Sequence, residues 1–283
     1  MEFVWTAPDG ESFPCEEWLP AGKPSGMILC VPGMGGSAGD FRPVGEAASA
    51  AGHAVYALNL RGQGMDRAPR RGAWLELPLV AADIDAFAKM ATARHEDAPL
   101  FLCGESMGSL VMAWLLANRA ISVPVRGAIF SVPVVELSRP TPVVVRLAVR
   151  VLSMVLPTSR LSPAWFVNGK AEPLKLTRDE GHWEKLRGAP HYIPIFAFRF
   201  LNSLGNLIES SSTLATKLET PCLVLAAGND AFLRAEQVER WFAKIAATDK
   251  TFQLYPEAYH LLWHDWDREL VLKDILDWVG TRR

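Results

Sequence analysis

Two kinds of hydrophobic pattern alternate along the chain. Short unbroken apolar runs fall at 27–31 (MILCV), 54–60 (AVYALNL), 99–103 (PLFLC), 126–131 (RGAIFS), 221–227 (PCLVLAA) and 251–255 (TFQLY). Runs of this length, rich in Val, Ile and Leu, predict strands buried on both faces. Between them, over 41–51, 78–96, 107–119, 235–247 and 265–279, apolar residues recur every three to four positions, the spacing of a helix with one apolar stripe. The alternation predicts an α/β fold: a mostly parallel central sheet with helices on both faces.

Upstream, EFVWTA and ESFPCEEWLP flank the turn signal PDG and predict an antiparallel hairpin at the sheet's edge. From about 133 to 212 the alternation stops, and helix-like patterns run on without a clear strand. Pro133, Pro140 and Pro142 punctuate the start of this stretch and SSSTL its end. The prediction is a core of 1–132 and 213–283, with a mainly helical cap, 133–212, inserted after the sixth strand and lying over one end of the sheet.

Composition narrows the picture. A chain of 283 residues, 49% of them hydrophobic, suits one main domain with an insertion. The net charge of −2 and the scattered Lys and Arg residues argue against a nucleic-acid partner. MEFVWTAPDG has neither the basic start nor the apolar run of an export signal, which predicts a cytoplasmic protein. The longest apolar stretch, PVVVRLAVRVLSMVLP, is shorter than the ~20 residues that span a bilayer. Its Arg146 and Arg150 share one helix face, expected to point to solvent, with anionic lipid headgroups as the alternative. Four isolated cysteines give no disulfide or metal spacing; Cys30, Cys103 and Cys222 sit in apolar runs as small hydrophobes.

The chemistry begins in LFLCGESMGSLVMAW, where Gly104, Ser106 and Gly108 lie between an expected strand and an expected helix. A strand turning at once into a helix strains the turning residue, so the positions two away need minimal side chains. The turn lifts the serine hydroxyl clear and leaves the Met107 amide at a helix N-terminus, where it can meet a developing oxyanion. A structural serine in a glycine-lined turn is the bland alternative.

A serine hydroxyl needs a base, normally a histidine oriented by a carboxylate. Asp230 follows the run 221–227 and His260 follows 251–255, the chain order expected of this kind of site. Glu136, after the run 126–131, is a second candidate acid, and His264 a rival base that reads as a surface or packing residue. His53, His95, His182 and His191 have no such context. A second oxyanion donor is available in CVPGMGGSAGDF, where the Met34 amide follows the run 27–31. The dinucleotide spacing G-x-G-x-x-G is absent from that loop, so no cofactor is expected.

Together these segments resemble the α/β-hydrolases, and within them the monoacylglycerol lipase and lysophospholipase branch. PGMGGSAGDF resembles the branch's oxyanion loop, NLRGQGMD the loop after the next strand, GESMGS the nucleophile elbow, AGNDAFL the acid loop and YPEAYHLL the histidine loop. The resemblance covers nearly the whole chain. It implies Ser106 as nucleophile, Asp230 as acid and His260 as base, with the Met34 and Met107 amides as oxyanion hole. Pro32 stands where the branch usually has a histidine before glycine, and Gln63 where it usually has the histidine of RGHG. Arg61 and Gly62 then shape a turn. The branch's cap fits 133–212, whose apolar runs VVVRLAVRVLSMVL and HYIPIFAFRFLNSLGNLI would roof the site. The implied activity is hydrolysis of small acyl esters such as monoacylglycerols or lysophospholipids, by a serine esterase without metal or cofactor. Amide, thioester or carbon–carbon cleavage, or ligand binding without turnover, are the alternatives.

Overall fold

In the structure, a computed structural model that describes residues 1–66, 70–73, 75–164 and 174–282, the apolar runs pair side by side. In chain order the strands are β1 (Glu2–Thr6), β2 (Ser12–Trp18), β3 (Met27–Val31), β4 (Ala54–Leu58), β5 (Leu100–Glu105), β6 (Val125–Ser131), β7 (Arg160–Leu161), β8 (Phe196–Ala197), β9 (Cys222–Ala227) and β10 (Lys250–Tyr255). Eight of them form one sheet in the order β1-β2-β4-β3-β5-β6-β9-β10. From β4 to β10 every neighbouring pair is parallel, and the β1–β2 hairpin closes one edge antiparallel. The mostly parallel sheet and its edge hairpin follow the hydrophobic pattern.

Helices cover both faces because β3, β4, β5 and β9 bury every residue. On one face lie α1 (Arg42–Ala50) and α8 (Arg268–Gly280), with Val44, Ala48, Val271, Ile275 and Trp278 in a common core. On the other lie α2 (Leu77–Arg94), α3 (Met107–Ala117) and α7 (Ala235–Lys244), contributing residues such as Ile84, Phe87, Leu110, Val238 and Trp241. The expected strand 54–60 stops at Leu58. Asn59 leaves the ladder because its side chain ties strand β2 to the turn after β3, accepting from the Ala38 amide (3.0 Å) and donating to the Pro14 carbonyl (2.6 Å).

Between β6 and β9 the chain runs through α4 (Val143–Val155), β7, α5 (Glu180–Gly188), β8 and α6 (Phe198–Ala215). The helix-like patterns of this stretch are helices, and it also holds strands where none is expected. β7 and β8 pair antiparallel through Arg160↔Ala197 and Leu161↔Phe196, a pairing too short to leave a period in the sequence. Helix α6 packs against α3 and buries Phe200, Leu207 and Leu214. Helix α4 lies on α6 and buries none of its residues. Part of the expected cap, 165–173, lies outside the described residues.

Candidate active site

The turn at Ser106 is the strained one its sequence predicts. Ser106 has φ 54° and ψ −117°, a conformation that costs a side-chain-bearing residue about 1–3 kcal/mol unless its surroundings enforce it. They enforce it here. The Ser106 amide donates to the Ser131 carbonyl on β6 (2.9 Å), and a Cβ at Gly104 would stand 2.7 Å from the Ser109 nitrogen. The Ser109 hydroxyl then ties the Gly104 and Ser131 carbonyls together, at 2.8 and 3.0 Å. Met107 opens α3, so its amide is among the first-turn donors without an intrahelical acceptor.

The loops after β9 and β10 meet. Asp230 Oδ2 accepts from His260 Nδ1 at 2.6 Å, with both side chains almost wholly buried. Asp230 Oδ1 accepts from the Phe232 amide (2.7 Å), so one carboxylate both shapes its own loop and orients the imidazole. The proton on Nδ1 leaves Nε2 as the free lone pair. The loops are laced by Gly228 and Asn229 amides donating to the Tyr255 and Ala258 carbonyls. Phe232 packs edge-on against the His260 ring at 4.9 Å.

Both candidate oxyanion residues border the same cavity as Ser106 and His260. It encloses about 790 Å³, and its wall includes Met34, Ser106, Met107 and His260 from the core and Leu147, Trp183, Tyr192, Leu201 and Ile208 from the stretch between β6 and β9. Ser106 and His260 share this wall without a hydrogen bond between them. The loop carrying Met34 is clamped from behind. Gln63 Oε1 accepts from the Gly35 amide at 2.7 Å, so the residue standing where the branch has histidine still holds the loop. Asn59 holds Ala38, and Asp40 Oδ2 holds the Ser37 amide at 2.7 Å.

Of the rivals, Glu136 does not reach the imidazole: it is exposed and pairs with Arg240 at 3.3 Å. His264 is spoken for as well. Its Nε2 donates to the Asp40 carbonyl at 2.6 Å, and burial pushes its pKa down to about 4. His95 bonds the Tyr56 hydroxyl (2.8 Å) and His53 the Ser25 hydroxyl (3.3 Å), ordinary packing partners. His182 belongs elsewhere than its sequence context indicated: it borders the cavity and stacks on His264 at 3.9 Å. His191 Nε2 lies 3.4 Å from Asp40 Oδ1. Arg146 and Arg150 are exposed, as expected, and also border the cavity; Arg146 is held by Glu209 at 2.6 Å. Glu105, inside the elbow, is a wall residue that sequence reasoning passed over. Burial, reinforced by nearby Asp40, raises its carboxyl well above the usual range.

Residues 22–267 match the model of the family described as serine aminopeptidase, S33. The chain belongs to that family. The chain is 26% identical to phospholipase YtpA of Bacillus subtilis over 89% of this chain and 94% of that one. To the monoacylglycerol lipase of Mycolicibacterium smegmatis it is also 26% identical, over 93% and 90%. The crystal structure of a soluble variant of Saccharomyces cerevisiae monoglyceride lipase with a substrate analog superposes with a TM-score of 0.85 at 19% identity, covering 100% of this chain and 94% of that one. This S33 chain is thus an α/β-hydrolase in fold and a serine hydrolase by family.

Proposed function

We propose that this protein hydrolyses carboxylic esters of fatty acids, monoacylglycerols and lysophospholipids foremost, through an acyl-enzyme on Ser106. The observation that carries the reading is a cavity of about 790 Å³, apolar over most of its wall, that has Ser106, His260 and the Met34 and Met107 residues on one side. Its volume falls within the ~300–1,000 Å³ of small-molecule sites, and aliphatic side chains suit an acyl chain. The names of the relatives, a phospholipase and a monoacylglycerol lipase, point the same way.

In this reading His260 Nε2 takes the Ser106 proton as Oγ adds to the ester carbonyl, and the Met34 and Met107 amides stabilise the oxyanion. The imidazolium, held by Asp230, returns the proton to the departing alcohol. Water, deprotonated by the same nitrogen, then releases the acid and regenerates Ser106. Every proton has a carrier on the chain, so the cycle closes without a cofactor.

The described residues of 133–212 act as a cap over this cavity. Helix α4 offers an exposed apolar face, with Val144 at 71% and Met154 at 69% exposure, flanked by Arg146 and Arg150. Such a face suits transient contact with a lipid surface.

The test is a ladder of p-nitrophenyl esters from acetate to palmitate, run beside a monoacylglycerol and a lysophospholipid. Rates peaking at medium or long chains and abolished by Ser106→Ala are expected. Activity retained in Ser106→Ala sinks the mechanism. Silence toward every ester, with Ser106 still labelled by a fluorophosphonate, transfers the site to amides, thioesters or carbon–carbon bonds; absence of labelling makes it a binding pocket.

A further inference from the structure

Two loops with separate tasks converge at Asp40. Residues 33–40 carry the Met34 amide, and residues 259–265 carry His260. Among the described residues one hydrogen bond joins them, from His264 Nε2 to the Asp40 carbonyl at 2.6 Å. Since a carbonyl only accepts, this contact fixes the proton of His264 on Nε2. Beside it, just past the first loop, an apolar contact sets Phe41 against Trp263 with ring centroids 5.2 Å apart. An apolar contact resists separation but sets no direction. The hydrogen bond does, through its dependence on angle.

The same histidine is gripped from the other side by the stretch between β6 and β9. The Thr177 hydroxyl donates to the His264 carbonyl at 2.7 Å, and the Leu261 amide donates to the Leu176 carbonyl at 2.9 Å. Arg178 Nε reaches Asp265 at 2.9 Å. In the first turn of α5, the His182 ring lies flat on the His264 ring, 3.9 Å between centroids and 10° between planes. Helix α5 is itself started by Asp179, whose carboxylate accepts from the His182 amide at 2.9 Å. His264 is therefore the side chain at which α5, the histidine loop and the oxyanion loop all touch.

We propose that His264 is a positioning residue: its Nε2–H, rather than its stacked ring, sets the oxyanion loop against the histidine loop. The proposal rests on the ester-hydrolase reading of Ser106. With that donor in place the Asp40 carbonyl is held, and the Met34 amide faces the point where the oxyanion forms. Without it the loop loses its anchor on the side facing His260.

Two substitutions separate the functions of the ring. His264→Phe keeps a stacked ring and removes the donor; His264→Gln overlays its Nε2 on the imidazole Nε2, keeping a donor and removing the stack. The readouts are kcat and KM on a short aryl ester, the rate constant for fluorophosphonate labelling of Ser106, and amide hydrogen exchange over Glu180–Gly188. In His264→Phe, kcat and the labelling rate should fall about 10- to 100-fold with KM within about threefold, the penalty of a misplaced oxyanion donor. Exchange over α5 should stay slow. In His264→Gln, labelling should recover to within about threefold of wild type while exchange over α5 accelerates. Wild-type labelling in His264→Phe, or equal losses in both variants, overturns the proposal while leaving the Ser106 reading intact. Failure of the wild-type protein itself to label at Ser106 removes both. Should His264→Phe not fold, His264→Gln decides: fast labelling with a loosened α5 supports the proposal, slow labelling overturns it.

Discussion

Gly108, on the first turn of α3, lies against the backbone of β3 so closely that a Cβ there would stand 2.2 Å from the Val31 carbonyl oxygen and 2.6 Å from that of Pro32. No side chain relieves this, because the clash is with main chain. Gly108→Ala should cost on the order of 3 kcal/mol or leave the chain unfolded. Gly205, inside α6 with nothing within 4 Å of its missing Cβ, is the contrasting site. There Gly→Ala should raise stability by about 0.5–1 kcal/mol, and urea unfolding of the two variants gives the comparison.

Asp230→Asn changes one atom at the bond to His260 Nδ1 and leaves the packing around Phe232 in place. The amide favours the wrong tautomer of the imidazole, so kcat on a short aryl ester should drop roughly 10³- to 10⁴-fold with little change in KM. Thermal unfolding of the variant, measured alongside, separates a lost tautomer from a lost fold.

Stability should fall with acid in a window set by His264. Its ordinary value near 6.5 is pushed down to about 4 by burial first, with stacked His182 and Arg268 adding to the effect and Asp40 opposing it. His182 is lowered as well, again by burial, with Asp40 and Asp179 opposing and Lys185 and Arg268 reinforcing. A base depressed in the folded state favours folding above its unfolded value and loses that contribution as pH falls through its folded one. Tm should therefore decline between pH 6.5 and 4, by a contribution of about 3 kcal/mol from His264. In His264→Gln that slope should flatten. Asp40 and Asp265, held low by their partners, lose their contributions only below the ordinary carboxylate value of 3.8.

Arg61, one of the turn residues behind the site, is buried at 3% exposure and bonded to Asp83 twice and to Asp9 at 2.9 Å. Arg61→Ala strands the Asp83 carboxylate, which burial already raises above its usual range. A loss of about 3–5 kcal/mol is expected in denaturant titration. Arg61→Lys should recover only part of it, because a point charge cannot replace two parallel N–H donors.

The exposed face of α4 predicts binding to lipid vesicles. Val151→Glu with Met154→Glu should lower the sedimented fraction on anionic vesicles at least about tenfold, since each side chain contributes roughly 1.5–3 kcal/mol when buried in lipid. Turnover of a soluble short ester should be unchanged. Arg150→Gln should weaken binding to anionic vesicles by about fivefold and leave neutral ones alone. Equal binding by all variants would assign α4 to another partner.

What the sequence determined by itself is what local physics encodes. Six apolar runs read as strands because a parallel sheet covered on both faces leaves no polar period, and the helices between them announce their one buried stripe. The strain at Ser106 was legible because its cause lies within two residues on either side, Gly104 and Gly108. Asp230 and His260 were legible because parallel topology delivers successive loops to one end of the sheet. Tertiary structure alone decided which donors met which acceptors. The Gly35 amide meets Gln63, the Asp40 carbonyl meets His264, and His182 lies on His264; these partners are far apart in the chain, and no period or composition ties them together. It also brought Arg146 and Arg150, exposed as their helix face predicts, to the border of the cavity, because α4 rests on α6 beside it. Patterns record burial and local sterics, whereas the direction of a hydrogen bond is settled only when packing has brought two loops within reach.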